Sequence, residues 1–212
     1  MRPFPLVLSS PSGGGKTAIT HLLLERRSDV GYSVSCTTRV PREGEVNGRD
    51  YHFIGREEFL ARRSRGEFAE CAEVHGHLYG TLRSEVERVL GSGRHVVMDI
   101  DVQGAAQFAS AFPSSVSVFV LPPSAEVLLD RLRARNTESR YSLLKRLRSA
   151  VVELRAVDRY DYVVVNDTLE HAVARVSAII DAEAVRRDRL DGLQHDVRSI
   201  VECLERELEP SS

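Results

Sequence analysis

The 212-residue sequence contains no tryptophan, only three cysteines, and only two lysines among its 29 basic residues. Cys36, Cys71 and Cys203 are widely spaced and form no CxxC pair, so neither a disulfide framework nor a zinc site is predicted. They are expected to be free thiols in the cytoplasm. The formal net charge is only −2, which excludes the broad positive field typical of proteins that bind nucleic acid or anionic membranes nonspecifically.

Long apolar runs are also missing from the sequence. The N-terminal stretch is too short for the apolar core of a signal peptide. The longest uncharged segment, residues 102–125, contains glutamines, serines and three prolines, which is typical of a helix, a turn and a strand rather than a membrane span. Since 42% of the residues are apolar and 28% are charged, we expect one globular domain with modest insertions.

Four short segments have the continuous apolar composition of strands buried on both faces: Phe4–Leu8, His95–Ile100, Val116–Leu121 and Tyr162–Val165. Segments with helical spacing separate them. This alternation predicts an α/β fold with a parallel sheet that is covered by helices on both sides.

Two segments interrupt that pattern. Residues from about 32 to 81 contain short β-like pieces, frequent glycine and one brief helical stretch, which indicates an insertion rather than more of the core sheet. Residues 131–148 carry seven basic side chains in a helix, loop, helix pattern. We expect this second segment to be a mobile cationic flap.

The C-terminal segment has a single apolar stripe at three- and four-residue steps, which predicts an amphipathic helix. Packing of that stripe against the core of the same chain is favoured over a subunit interface. The stripe consists of Leu190, Leu193, Val197, Ile200, Val201, Leu204 and Leu208.

The segment SSPSGGGKT, residues 9–17, fits the phosphate-binding pattern GxxxxGK[ST], except that Ser10 stands at the first glycine position. In such a loop the backbone N–H groups bind phosphate oxygens, and the Lys16 ammonium and the Thr17 hydroxyl would contact the terminal phosphates and Mg²⁺. The alternative is a glycine-rich turn without a ligand. Because lysine is so rare here, its use at this position favours a required ammonium point charge.

A carboxylate at the end of a neighbouring strand is the usual second partner of the metal. The segment HVVMDID ends in two acids, Asp99 and Asp101, which lie on the same face of the predicted strand. Asp99 is the candidate metal residue together with Thr17. The alternative is that these acids only make the end of the strand soluble.

The segments SPSGGGKT, SCTTRVPREGEVNGRDYHF, HLYGT, MDIDVQG and RARNT, followed by KRL, occur in the order and spacing of the guanylate kinases. The chain resembles that family over approximately residues 4–184. The resemblance implies a P-loop NTPase-type parallel sheet flanked by helices, a small mixed α/β insertion for the monophosphate, and a helical lid. We expect the core to comprise residues 1–33, 82–130 and 149–212, the GMP-binding insertion 34–81, and the lid 131–148.

The resemblance also implies that the γ-phosphoryl group of Mg-ATP is transferred to GMP, giving ADP and GDP. The implied catalytic residues are Lys16, Arg39, Arg135 and Arg146. The implied ATP-binding residues are Ser10, Pro11, Ser12, Gly13, Gly14, Gly15, Lys16, Thr17, Arg131, Arg135 and Asn166. Asn166 and its neighbour Asp167, which would lie near the adenine, are the weaker assignments.

For GMP, the family pattern implies one group of residues at the phosphate and another at the base. The phosphate group is Arg39, Arg42, Tyr51 and Tyr79, with Glu45 bracing the arginines. The base group is Glu70, Ser35, Thr81 and Asp101. A carboxylate accepts two hydrogen bonds from the N1–H and N2–H of guanine and repels adenine, so Glu70 would read the base, with Glu73 as a second candidate.

Two positions depart from the family pattern. Ser10 replaces the first glycine of the loop, from which we expect a slightly altered loop and retained activity. In the flap, ARNT stands where GRGT is usual, and Asn136 in place of glycine would reduce backbone freedom at a hinge and slow turnover.

Two other functions remain open from the residues. One is a kinase of similar fold that acts on a sugar phosphate, which would not need the base-reading Glu70. The other is an inactive module that binds phosphorylated partner proteins, and such modules typically lose the loop lysine. The sequence predicts small-molecule substrates, ATP and GMP, with no nucleic acid or membrane partner, and it leaves monomer and homo-oligomer equally open.

Overall fold

The computed structural model describes residues 1–74, 76–133 and 140–208. Within them the strands are β1 (Pro5–Ser9), β2 (Val30–Tyr32), β3 (Cys36–Thr37), β4 (His52–Phe53), β5 (Phe68–Val74), β6 (His77–Leu82), β7 (His95–Asp99), β8 (Val116–Leu121) and β9 (Tyr162–Val165). The helices are α1 (Lys16–Arg26), α2 (Arg56–Ser64), α3 (Arg83–Gly91), α4 (Val102–Ala111), α5 (Ala125–Arg133), α6 (Arg140–Leu154), α7 (Leu169–Ala184) and α8 (Leu193–Leu208).

The central sheet has the order β2-β7-β1-β8-β9, and every neighbouring pair in it is parallel. Successive side chains of β1 point to opposite faces, so Leu6 and Leu8 pack with α1 and α7 while Val7 packs with α3 and α4. Both faces are therefore buried, which explains the continuous apolar strands. The predicted α/β fold with a covered parallel sheet is confirmed.

The second sheet has the order β4-β3-β6-β5 and mixes parallel and antiparallel pairs. Its own small core includes Phe59 of α2 stacked on Phe68 of β5, with ring centroids 4.4 Å apart. The sequence pattern did not predict β6, because its segment HLYGTL lacks both a continuous apolar run and clean alternation. The strand forms because β3 and β5 pair with it on either side.

The basic segment 131–148 falls on the end of α5 and most of α6, which pack together through Leu128, Leu132 and Ala150. Both helices extend beyond the predicted bounds, α5 back to Ala125 and α6 on to Leu154. Residues 134–139, which connect them, lie outside the described residues. No helix in the described ranges is long and apolar enough to cross a membrane.

The C-terminal helix α8 forms as predicted, but its predicted packing against the core of the same chain is wrong. None of its residues is buried, and Ile200 is 60% exposed. Just before α8, a short 3₁₀ helix (Arg187–Arg189) contains Arg189, which pairs with Glu183 at 3.1 Å. The chain is therefore tied to the core just before α8, and the apolar stripe that follows has no partner within the described part of the chain.

This arrangement predicts a contrast between two isoleucines on consecutive helices. Ile180 of α7 is fully buried, so Ile180→Ala should lower the free energy of unfolding by about 2–5 kcal/mol. Ile200→Ala should change it by less than about 0.5 kcal/mol, since an exposed site leaves no cavity. Urea unfolding of both variants measures the difference. Equal losses would mean that α8 packs on the core in solution.

Candidate active site

The loop that fits the phosphate-binding pattern connects β1 to α1, and its conformation depends on its glycines. Gly15, at the N-terminus of α1, has φ of 94°, a left-handed conformation that favours glycine. A Cβ atom there would also lie 2.4 Å from Nδ2 of Asn166. The Gly14 N–H donates to the Pro11 carbonyl at 2.8 Å, which curls the loop around the start of the helix. The local sequence thus forms the anion-binding helix N-terminus that the motif predicts.

The Ser10 side chain is accommodated without opening this loop. Its hydroxyl donates to the Pro11 carbonyl at 2.9 Å, and its backbone carbonyl accepts from Nζ of Lys16 at 3.4 Å. Ser10 is 3% exposed and occupies the space beside Gly14. Serine in place of the first glycine therefore adds a small buried side chain beneath the loop, and this side chain does not occupy the space where a phosphate would bind.

Two residues distant in sequence contact the loop backbone. Asn166, at the end of β9, is buried and donates from Nδ2 to the Gly14 carbonyl at 2.8 Å. Glu153 of α6 accepts from the Ser12 N–H at 3.0 Å. Sequence reasoning named Asn166 for ATP but missed Glu153, which carries no motif signal. In the structure, both side chains hydrogen-bond directly to the loop backbone.

Asp99, at the carboxyl end of β7, lies beside the loop because β7 pairs with β1. Its Oδ2 accepts from the Thr17 hydroxyl at 2.9 Å, and its Oδ1 lies 3.5 Å from Nζ of Lys16. A carboxylate, a hydroxyl and an ammonium thus converge at one end of the loop. The carboxylate and hydroxyl are the hard oxygen donors that Mg²⁺ takes, usually with substrate phosphates completing its shell.

The insertion presents a guanidinium and two phenols across the cavity from Lys16. Arg39 makes a two-pronged contact with Glu45, at 2.9 Å from each carboxylate oxygen, and donates to the Tyr79 hydroxyl at 3.2 Å. Glu45 also accepts from the Arg42 backbone N–H at 2.7 Å. Hydrogen bonds from Arg39 hold the pKa of Glu45 below its usual range. Glu45 therefore braces the arginine pair.

Tyr51 completes this group, with its ring 5.5 Å from the Arg39 guanidinium carbon and 5.9 Å from the Tyr79 ring. Burial raises the pKa of Tyr51 to about 12, so its hydroxyl stays protonated and can donate a hydrogen bond. A fixed guanidinium flanked by neutral phenol donors suits a phosphate dianion.

A β-bulge positions Glu70 on β5. The register with β6 shifts between Phe68 and Glu70, which places Glu70 opposite Thr81, whose hydroxyl donates to Oε1 at 2.7 Å. Bulges are common where a side chain must be re-aimed next to a site. Burial raises the pKa of Glu70 to about 7. Glu73, the second candidate, is instead exposed and pairs with Arg56 at 3.7 Å.

Asp101 follows β7 and caps α4. Its Oδ1 accepts from the backbone N–H groups of Gln103 and Gly104 at 2.9 and 2.8 Å. Such N-caps satisfy helix N–H groups that have no partner within the helix. The cap fixes the second base-edge carboxylate, and the negative charge of Asp101 contributes to raising the pKa of Glu70.

One cavity of about 1030 Å³ brings most of the predicted side chains together. Thr81 is fully buried behind Glu70 and Ser35 instead of facing the cavity. The predicted residues that line it are Lys16, Thr17, Ser35, Arg39, Arg42, Glu45, Tyr51, Glu70, Tyr79, Asp99 and Asp101.

A second cavity, of about 570 Å³, is lined by residues 10–18 and Arg131. Nη1 of Arg131 is buried, with no hydrogen-bond partner among the described residues. Arg146 is buried, and its Nη1 donates to the Leu132 carbonyl at 3.2 Å, within the α5–α6 pair. Arg135 and Asn136 lie outside the described residues.

Comparison with known proteins places this arrangement in a family. The family model described as guanylate kinase matches residues 2–183. The chain is 46% identical over 196 residues to a guanylate kinase of Thermotoga maritima, covering 91% of this chain and 95% of the relative. It is 49% identical over 193 residues to one of Paramagnetospirillum magneticum, covering 91% and 90%.

A solved structure agrees with these sequence relatives. The crystal structure of guanylate kinase from Anaplasma phagocytophilum superposes with a TM-score of 0.78 at 38% sequence identity, covering 93% of this chain and 95% of that one. The matched residues 2–183 include the central sheet, the insertion sheet and the loop between β1 and α1. The chain therefore belongs to the guanylate kinase family.

Proposed function

We propose that this chain transfers the γ-phosphoryl group of ATP to GMP, giving ADP and GDP. The observation that carries the proposal is the shared cavity of about 1030 Å³, in which the loop residue Lys16 faces the arginine and tyrosines of the insertion and the buried carboxylate of Glu70. The same cavity is therefore lined by the loop for the ATP phosphates, the residues for the GMP phosphate and the acid for the guanine base. No described feature favours a sugar phosphate or a phosphorylated protein over GMP.

ATP binds with its phosphates in the loop. The N–H groups at the start of α1 and the Lys16 ammonium bind the β- and γ-phosphate oxygens, and Asn166 and Glu153 hold the loop backbone in shape. Arg131 lines the cavity beside the loop and supplies a further cation, since its Nη1 has no hydrogen-bond partner in the part of the chain that the structure describes. The loop residues assigned to ATP are Ser10, Pro11, Ser12, Gly13, Gly14, Gly15, Lys16 and Thr17.

GMP binds in the insertion, residues 34–81. Arg39, Arg42, Tyr51 and Tyr79 hold its phosphate, because the Glu45 brace presents the Arg39 guanidinium towards the cavity. The base lies against a second group, in which Glu70 accepts from N1–H and N2–H, Ser35 donates to O6, and Asp101 lies at the edge. Thr81, which does not face the cavity, acts through its hydrogen bond to Glu70.

Mg²⁺ fits the oxygen donors beside the loop. Thr17 and Asp99 would hold it through their hard oxygen donors, together with phosphate oxygens of ATP. When bound, the ion neutralises charge on the phosphates during transfer. The Thr17 hydroxyl donates to Asp99 and the Lys16 ammonium lies beside the same carboxylate, so the oxygen donors are already close together.

Catalysis rests on alignment and on neutralising the charge of the transferred group, with no general base required. Lys16 acts from the loop side and Arg39 from the acceptor side. The lid, residues 131–148, closes over the phosphates and brings in Arg135 and Arg146. This closure also excludes water from the reacting groups.

Since the described cysteines are free thiols, we also propose a reducing, cytoplasmic location.

A coupled ADP-release assay tests this function directly. With Mg-ATP, release is expected with GMP and at most weak release with AMP, CMP, UMP or ribose phosphates, because adenine and pyrimidines cannot donate two hydrogen bonds to Glu70. Equal rates with ribose 5-phosphate would favour the sugar-phosphate alternative. No turnover, with GMP still raising the melting temperature, would favour the binding module.

A further inference from the structure

A glycine in the first turn of α4 contacts both candidate base-reading carboxylates. Gly104 is buried beneath Glu70, and a Cβ atom built on it would lie 2.5 Å from Oε2 of Glu70 and 2.7 Å from Cγ2 of Ile100. Real Cβ atoms do not approach other heavy atoms that closely. The carboxylate of Glu70 therefore occupies the space that any side chain at position 104 would need.

The same glycine also holds the second acid. The Gly104 backbone N–H donates to Oδ1 of Asp101 at 2.8 Å. On its other side, the Glu70 carboxylate is held by the Thr81 hydroxyl at 2.7 Å. Oε1 of Glu70 thus binds the Thr81 hydroxyl, while Oε2 lies against the backbone of α4 at Gly104, whose N–H binds Asp101.

Backbone conformation does not explain this glycine. Its φ is not positive, and it lies within a regular α-helix. Glycine destabilises a helix interior relative to alanine, so local structure alone favours alanine here. The position requires the absence of a side chain.

We propose that Gly104 is a positioning residue that determines guanine specificity, by leaving the space in which the Glu70 carboxylate is held at the base edge beside Asp101. The proposal rests on the proposed function of Glu70. Gly104 does not touch the substrate; it acts through the orientation of the acid. A side chain at position 104 pushes the carboxylate into the guanine site and away from Thr81.

The test is Gly104→Ala, with Gly91→Ala as the matched control. Gly91 is also helical, at the end of α3, and has no atom within 4 Å of its built Cβ. Gly104→Ala should raise the KM for GMP about tenfold or more and leave the KM for ATP within about twofold. Gly91→Ala should change neither. Equal losses for GMP and ATP, or no loss, would overturn the proposal.

Inosine monophosphate sharpens the readout, because it lacks the N2 amino group that the carboxylate binds. In the unaltered protein GMP should bind more tightly than inosine monophosphate, and Gly104→Ala should reduce that preference several-fold. A preference that stays constant while both affinities fall equally would indicate a general structural defect and would contradict the specificity role.

A double-substitution cycle separates this inference from the proposed function. If Gly104 acts through Glu70, adding Gly104→Ala to Glu70→Gln should raise the KM for GMP much less than it does in the unaltered protein. Independent, multiplicative effects would overturn the inference. If Glu70→Gln alone leaves GMP binding unchanged, the assignment of Glu70 itself fails, which is a different outcome.

A second variant covers the case in which Gly104→Ala does not fold. Ile100→Ala removes Cγ2, the other atom that the new methyl group would meet. In the Ile100→Ala, Gly104→Ala double variant, the remaining close contact is with Glu70. That variant, compared with Ile100→Ala alone, should show the same selective loss of GMP affinity, and identical behaviour of the two would contradict the proposal.

Discussion

Lys16→Ala is expected to lower kcat for GMP phosphorylation about a hundredfold or more while leaving GMP affinity nearly unchanged. The Lys16 ammonium lies 3.5 Å from Asp99 and is part of the loop that we propose binds the transferred phosphate. Removing one preorganised charge from such a site typically costs that much in rate. Since we propose that the insertion holds GMP, its binding should persist. The coupled assay gives kcat, and calorimetry with GMP gives the affinity.

Two further variants make this test specific. Lys16→Arg should not restore turnover, because a planar guanidinium does not replace an ammonium point charge in the loop. Arg198→Ala removes one exposed positive charge from helix α8, which lines neither cavity, and should leave kcat within about twofold. Undiminished turnover in Lys16→Ala would remove the loop from the phosphate site.

Glu70→Gln is expected to raise the KM for GMP about tenfold to a hundredfold and to leave the KM for ATP unchanged. The carboxylate accepts hydrogen bonds at both oxygens, whereas the amide has one accepting and one donating end. The amide would therefore face a guanine N–H with a donor, which is costly in a buried site. Glu73→Gln, at the exposed acid three residues on, is the matched control. Equal losses in GMP and ATP would take Glu70 out of the base site.

The unaltered protein and the Glu70→Gln variant should differ in how kcat/KM for GMP depends on pH. Burial raises the pKa of Glu70 to about 7, so the free enzyme loses the accepting carboxylate as the pH falls through that value. The kcat/KM for GMP should therefore rise with pH up to about 7 and then level off. In Glu70→Gln that step should disappear, leaving the titration of the GMP phosphate near about 6. An unchanged profile would assign the step to another group.

The parallel core and the phosphate-binding loop could be predicted because their signals are local. The loop is a contiguous strand, loop and helix, and Gly15, Lys16 and Thr17 follow one another directly. Asp99 could be predicted as well, since carboxyl ends of neighbouring parallel strands meet at one edge of the sheet. The GMP residues followed from a family resemblance, because two arginines three apart or one glutamate among many carry no signal alone.

The supports of the site could not be predicted from the sequence. Glu153 accepts from a loop N–H 141 positions away, and Asn166 donates to a loop carbonyl 152 positions away. No spacing rule in the sequence predicts either contact, because only the packing of distant elements brings α6 and β9 to the loop. For α8, an apolar stripe is equally compatible with packing inside or outside the chain, which is why the prediction of core packing was wrong.

The sequence by itself determined the chemistry available to this protein: a loop with one lysine, an acid at the end of a buried strand, and an insertion rich in arginine and tyrosine. The tertiary structure decided which of these groups act on each other. The bulge on β5 and burial distinguish Glu70 from the exposed Glu73, and the packing of α4 places Gly104 against the Glu70 carboxylate. Residue types and local spacing follow from the chain, whereas desolvation and close approach exist only once distant elements pack.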